Sequence, residues 1–330
     1  SRHVINLGRL AAQSLLVGLV LIMPLSQAAA SPVPGAERRE VVSGFEEPLV
    51  VAAPTSADED AALKRAIDRY SPHTAEGLLA FDGFLATYPQ SGWRIALLTN
   101  LGLAAYNEGY FSKAISTWEE AWRLGKRLDS PSLAIRSLTD RAVGELIRMH
   151  ARLGHSERLA QLMMEIDGRP LTGPATETVA GARQGLWMMQ NDPGVAFLCG
   201  PKALRSLALL SRAPQSKEVK LLDQYKSGPG GVSLDQVGKL AKETGLPYRP
   251  AYRLGQTAIP VPSIVHWKVN HYAAIVAEQG GRYHVQDPTF GTDLWLTRAA
   301  IQAEASGFFL IPNDLRDGWR EVTLAESQTV

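Results

Sequence analysis

The stretch Cys199-Gly200-Pro201-Lys202-Ala203-Leu204 decides the reading, together with two later ones. These are Val269-Asn270-His271-Tyr272-Ala273-Ala274-Ile275-Val276 and Tyr283-His284-Val285-Gln286-Asp287-Pro288. Proline suits the first turn of a helix, where its missing N–H costs nothing. Pro201 therefore predicts that Cys199 heads a helix running to Leu210, with Ala203, Leu204, Leu207 and Leu210 on its inner face. Free N–H groups and the helix dipole at such a terminus favour a thiolate. A thiolate nucleophile needs a base, most often histidine, oriented by a third polar group. His271 enters an apolar strand, and Gly280-Gly281 turns that strand into the next one, which leaves at Asp287. A hairpin then puts His271 and Asp287 near one end, where the carboxylate can accept from the imidazole.

Working outward, Ser216 to Lys226 reads as a helix, and Ser233-Leu234-Asp235-Gln236 reads as a capping box opening another that stops at Gly245. Short β-rich runs follow at 247–253, 263–267, 271–278 and 283–286, then a helix from Thr297 and a last strand at 308–311. Helices followed by an antiparallel sheet give an α+β class. Upstream, residues 59–172 carry apolar positions at helical spacing. Leu101-Gly102, Ala105, Gly109, Ala114, Trp118 and Ala121 match the small and large positions of one tetratricopeptide-like repeat, with weaker copies around Tyr88-Pro89 and Gly154. The alternative is a plain helical bundle packed against the C-terminal domain.

The first thirty residues differ in kind. Arg2, His3 and Arg9 precede an apolar run from Leu15 to Leu25, and Ser26-Gln27-Ala28-Ala29-Ala30 supplies small residues before Ser31. That is the pattern of a secretory signal peptide, with a retained anchor as the alternative. The expected organisation is a signal peptide at 1–30, a linker at 31–58, a helical domain at 59–172, a second domain at 173–315 and a polar tail at 316–330. No stable membrane span is expected in the mature chain, and the place of action is secreted or periplasmic.

The chain has 330 residues, 45% hydrophobic and 20% charged, with a formal net charge of +1, so nothing points to a nucleic-acid partner. It holds 1 Cys and 7 His. A lone cysteine excludes an internal disulfide and a metal site built on cysteine pairs, and no cofactor is expected.

Cys199 to Leu204, Gly231-Val232-Ser233-Leu234, Gly245-Leu246-Pro247, Pro262 to Trp267, His271-Tyr272 and Asp287-Pro288 with Gly291 come in an order that resembles one family. It is the cysteine peptidases that remove double-glycine leader peptides from bacteriocins, a branch of the papain-like fold. The resemblance implies cleavage of peptide bonds after small residues through a Cys199 thioester, with His271 as base and acid and Asp287 as orienting group. It also implies a peptide or protein substrate, to which the helical repeats would add a protein partner. The family places a glutamine about six residues before the nucleophile as oxyanion donor; here Gln190 lies nine residues before Cys199, with Asn191 and Gln184 as substitutes. His266 is the alternative base. A peptide-binding module without activity, or an amidase acting on cell-wall material, are the competing functions. No Walker-type glycine loop follows a strand.

Overall fold

The computed structural model describes residues 38–129, 131–314 and 317–330; the expected signal peptide lies outside the described residues. The segment expected as a linker holds two short paired strands, β1 (Arg39–Glu40) and β2 (Leu49–Val50). Helices follow: α1 (Ala57–Arg69), α2 (Ala75–Leu79), α3 (Asp82–Thr87), α4 (Arg94–Asn107), α5 (Phe111–Gly125), α6 (Leu133–Leu153), α7 (Ser156–Glu165) and α8 (Ala175–Asn191). Gly102 lets α4 and α5 close on each other, because a Cβ there would stand 2.2 Å from the Trp118 ring nitrogen. The α6 helix ends where Gly154 takes φ 74°, a left-handed C-cap that glycine adopts without strain.

The C-terminal half continues with α9 (Pro193–Ala196), α10 (Cys199–Ala208), α11 (Lys217–Asp223), α12 (Leu234–Glu243), β3 (Tyr248–Arg253), β4 (Ser263–Trp267), β5 (His271–Gln279), β6 (Arg282–Asp287) and β7 (Thr292–Thr297). It closes with α13 (Arg298–Glu304), β8 (Ala305–Pro312), β9 (Trp319–Glu321) and α14 (Leu324–Thr329). Both expected N-caps form: Ser233 and Gln236 make the reciprocal capping box of α12, and Thr297 caps α13. The antiparallel sheet runs β7-β6-β5-β4-β8-β3-β9. Residues 316–330, expected as a polar tail, instead carry edge strand β9 and helix α14. Thr323 and Glu326 make the capping box that starts α14, and Arg320 holds Glu326 in an ion pair.

Alternate residues of the central strands feed two cores, as the pleat requires. On one face Ile264, Tyr272, Ala274 and Leu310 meet Leu204, Leu207, Val237 and Leu240 of α10 and α12. On the other, Val265, Ala273, Ile275 and Phe309 share a core with Phe111, Trp118 and Leu146 of the upstream helices. The sheet is thus covered on both sides, which is why β4 is buried throughout and, apart from Ser263 and His266, apolar. Buried Glu304 of α13 joins the two halves: it accepts from the Ser112 N–H at 3.0 Å and from its hydroxyl at 2.8 Å, at the start of α5.

Candidate active site

Cys199 is the first residue of α10, whose opening N–H groups have no intrahelical partner. Gly200 beside it is set by packing: a Cβ there would lie 2.7 Å from Val237 of α12. The β4–β5 turn is tight, and Asn270 reaches φ 59° within it, a conformation asparagine tolerates better than most residues. His271 then begins β5. Gly280 and Gly281, both at positive φ, make the two-residue turn into β6, with Gln279 opposite Arg282. Ala274 pairs with Gln286, so Asp287 at the end of β6 stands diagonal to His271 on one face of the sheet.

That placement brings His271 Nε2 to 2.7 Å from Asp287 Oδ2, with both side chains almost fully buried. Asp287 Oδ1 accepts from the N–H groups of Thr289 and Phe290, each at 3.1 Å, so the turn after β6 holds the carboxylate still. The Phe290 ring stacks on His271, with centroids 4.7 Å apart and planes 3° from parallel. Cys199 and His271 line the same cleft, close enough that each shifts the other's titration. Nε2 is engaged by Asp287, which leaves Nδ1 as the ring nitrogen free to serve the sulfur.

The electrostatics follow from these contacts. Burial alone would push His271 down, but the Asp287 carboxylate, aided by the Cys199 sulfur, overrides it and holds the imidazole up to about 10. Burial raises Cys199, while the His271 hydrogen bond and charge and the Tyr272 backbone lower it, with a net shift below the ordinary thiol range. Each group thus favours the charged form of the other, thiolate beside imidazolium.

Three of the expected site residues therefore meet: Cys199, His271 and Asp287. Gln190 does not join them. It is exposed in the last turn of α8, and Asp192-Pro193 starts the separate helix α9 between it and the cysteine. Asn191, an alternative donor, is exposed and gives its side-chain N–H to the Trp187 carbonyl; Gln184 is exposed as well. His266 is held elsewhere, by Ser306 Oγ at 2.9 Å and Asn270 Oδ1 at 3.2 Å, and burial first of all brings it down to about 4. It is neutral and packs on Tyr272.

The cleft at Cys199 has walls that sequence reasoning missed. One is the α6–α7 corner, Arg152 to Ser156; another is the loop from Pro229 to Ser233; a third is Gln328 to Val330 at the end of α14. The Val330 carbonyl accepts from the Tyr272 hydroxyl at 3.0 Å and from the Leu234 N–H at 2.7 Å. The Thr323-x-x-Glu326 box was a signal for that last wall; the first had none, being far from Cys199 in sequence. Among the described residues no cluster of metal-ligating side chains forms.

Residues 199–316 match the model of the Peptidase C39 family. A solved double glycine motif protease from an AMS/PCAT transporter, in complex with the leader peptide, is similar at 19% identity, over 34% of this chain and 81% of that one, with a TM-score of 0.28. No curated protein matches the chain. Over residues 199–316 the C-terminal region is thus similar to the cysteine peptidases of family C39.

Proposed function

We propose that the protein is an exported cysteine peptidase that cleaves polypeptides after small residues, such as a Gly-Gly pair, through a thioester on Cys199. The observation that carries this reading is the meeting of Cys199, His271 and Asp287 in one cleft, with His271 held by Asp287 at 2.7 Å, the thiol lowered and the imidazole raised. The Cys199 thiolate attacks the scissile carbonyl carbon and its oxygen takes the negative charge. Imidazolium His271 gives its Nδ1 proton to the departing amine, which leaves the acyl group on sulfur. Water then attacks the thioester, His271 takes a proton from it, and the acid product leaves as the thiolate reforms. Asp287 fixes the ring and stabilises the imidazolium throughout.

This reading assigns the developing oxyanion to the Cys199 amide, which opens α10, where helical N–H groups lack intrahelical partners. A side-chain donor from α8 is missing, and one such donor is worth on the order of 100- to 1000-fold in rate. The exposure of Gln190 therefore favours, as the second reading, a peptide-binding module of weak activity in which the helices present a partner surface. The preference for small residues rests on the order of motifs shared with leader-processing peptidases. Export rests on residues 1–30 and is tested by sequencing the N-terminus of the mature protein, with Ser31 expected first.

The decisive assay is hydrolysis of peptides containing Gly-Gly by the protein and by Cys199→Ala. Turnover that disappears in the variant supports the peptidase. Equal turnover in both rules out Cys199 as nucleophile. A protein that binds these peptides without cutting them is the module of the second reading.

A further inference from the structure

A second concavity runs into the catalytic cleft from the helical side and has a volume of about 470 Å³, within the ordinary range of binding pockets. One bank is the α6 face at Arg148, Ala151 and Arg152. The other is a single face of α8: Glu177, Thr178, Gly181, Ala182, Gly185, Met188 and Met189. Those α8 positions recur at helical spacing and extend over about 18 Å at 1.5 Å per residue. That length holds about five residues of extended chain at roughly 3.3 Å each. Arg152, Ala196 and Thr289 line both this groove and the cleft around Cys199, so the two are continuous.

Two properties say what the groove takes. Its floor is apolar and pliable, with Met188 and Met189 half-buried beside Val195 and Ala196. Linear, polarisable methionines adapt to varied apolar side chains. Glu177 lines the start of the α8 bank and Arg148 is paired with Glu145, but at the other end Arg152 and Lys202 have no carboxylate within ion-pair distance among the described residues, so that end is positive. Arg152 spends its contacts on the Tyr106 hydroxyl, 3.0 Å away, and the Phe290 ring. Half-buried cations without a carboxylate partner, Arg152 at the junction of groove and cleft and Lys202 in the groove, complement an acidic side chain. Internal packing does not require the helical glycines here. A Cβ at Gly181 or Gly185 would meet nothing within 4 Å, so each keeps the groove open at the cost of helix propensity.

We propose that the α6–α8 groove is an exosite for the substrate polypeptide. It takes a segment flanking the scissile bond, with apolar side chains on Met188 and Met189 and an acidic residue between Arg152 and Lys202. The assignment rests on the peptidase reading and names its substrate class. Every residue of the α6 and α8 banks lies outside 199–316, so the upstream helices select what the peptidase domain cuts.

The test measures binding apart from cleavage. Cys199→Ala protein is titrated into a fluorescein-labelled peptide carrying leucines and glutamates ahead of Gly-Gly, and into its lysine-for-glutamate counterpart, with anisotropy as readout. The expected result is saturable binding of the acidic peptide, weaker by at least about tenfold for the basic one and in Lys202→Glu. Adding Gly185→Leu, which fills the groove, should abolish binding while the thermal midpoint holds or rises. Absence of binding, equal binding of the two peptides, or binding unaffected by Gly185→Leu would overturn the exosite. Cleavage of Gly-Gly peptides without groove binding sinks the exosite alone; groove binding without cleavage by the Cys199 protein sinks the peptidase reading alone.

Discussion

Replacing Asp287 by Asn is the sharpest perturbation of the site. Asn retains a carbonyl oxygen to accept from the Thr289 and Phe290 N–H groups, so the turn after β6 survives. What disappears is the charge 2.7 Å from His271 Nε2. Burial, the largest influence on His271, then acts unopposed by Asp287, and the imidazole loses its proton near neutrality. Cys199 in turn loses the cation that lowers it, while burial, its largest influence, still raises it. A smaller share of the thiol is then ionised at pH 7. The rate of iodoacetamide alkylation at pH 7 should therefore fall, by about tenfold for each unit the thiol rises, and its rise with pH should move upward. Peptide turnover of the unsubstituted protein should rise with pH as Cys199 ionises below the ordinary thiol range, and fall as His271 loses its proton at about 10. An Asp287→Asn protein that alkylates at the original rate with an unmoved pH profile would refute the ion-pair argument.

Three further substitutions probe the frame around the site. Gly102→Ala forces a methyl group into the Trp118 ring and should cost about 1–3 kcal/mol in denaturant unfolding. Glu304→Ala strips the Ser112 N–H of its buried acceptor and should cost about 1–3 kcal/mol, read as a lowered thermal midpoint. Burial raises Glu165, but hydrogen bonds from Lys126, Trp122 and Arg158 hold it down at about 2. Its contribution is complete above the unfolded value near 4.3 and is lost as pH falls towards 2. Glu165→Gln should remove about 2–3 kcal/mol at pH 7 and flatten the stability profile over that acid range.

The sequence made the peptidase half legible because its signals are local. Pro201 marks the head of α10, Ser233 and Gln236 the head of α12, and Gly280-Gly281 the turn that aligns His271 with Asp287. Strand β4 could be placed to the residue, since an apolar run bounded by Pro262 and the Asn270 turn admits one reading. Other features depend on contacts distant in sequence. Gln190 is the glutamine nearest before the nucleophile, yet Asp192-Pro193 starts a new helix and leaves it on the surface. Strand β7 was passed over because six residues after Gly291 carry too short an alternation to stand out. The corner at Arg152 to Ser156 reaches the cleft only because the upstream helices bury the second face of the sheet, which no local pattern announces. Gly200 is required by Val237, a neighbour from α12 that no pattern around Cys199 announces.

The central claim, that Cys199 carries the acyl group, is tested most directly by trapping it. Turnover of a Gly-Gly peptide is stopped in acid during the steady state, and the protein is digested and mapped by mass spectrometry. The account predicts the N-terminal product fragment as a thioester on Cys199, absent from Cys199→Ala and from His271→Ala. Turnover with no adduct on Cys199, persisting in Cys199→Ala, would contradict it.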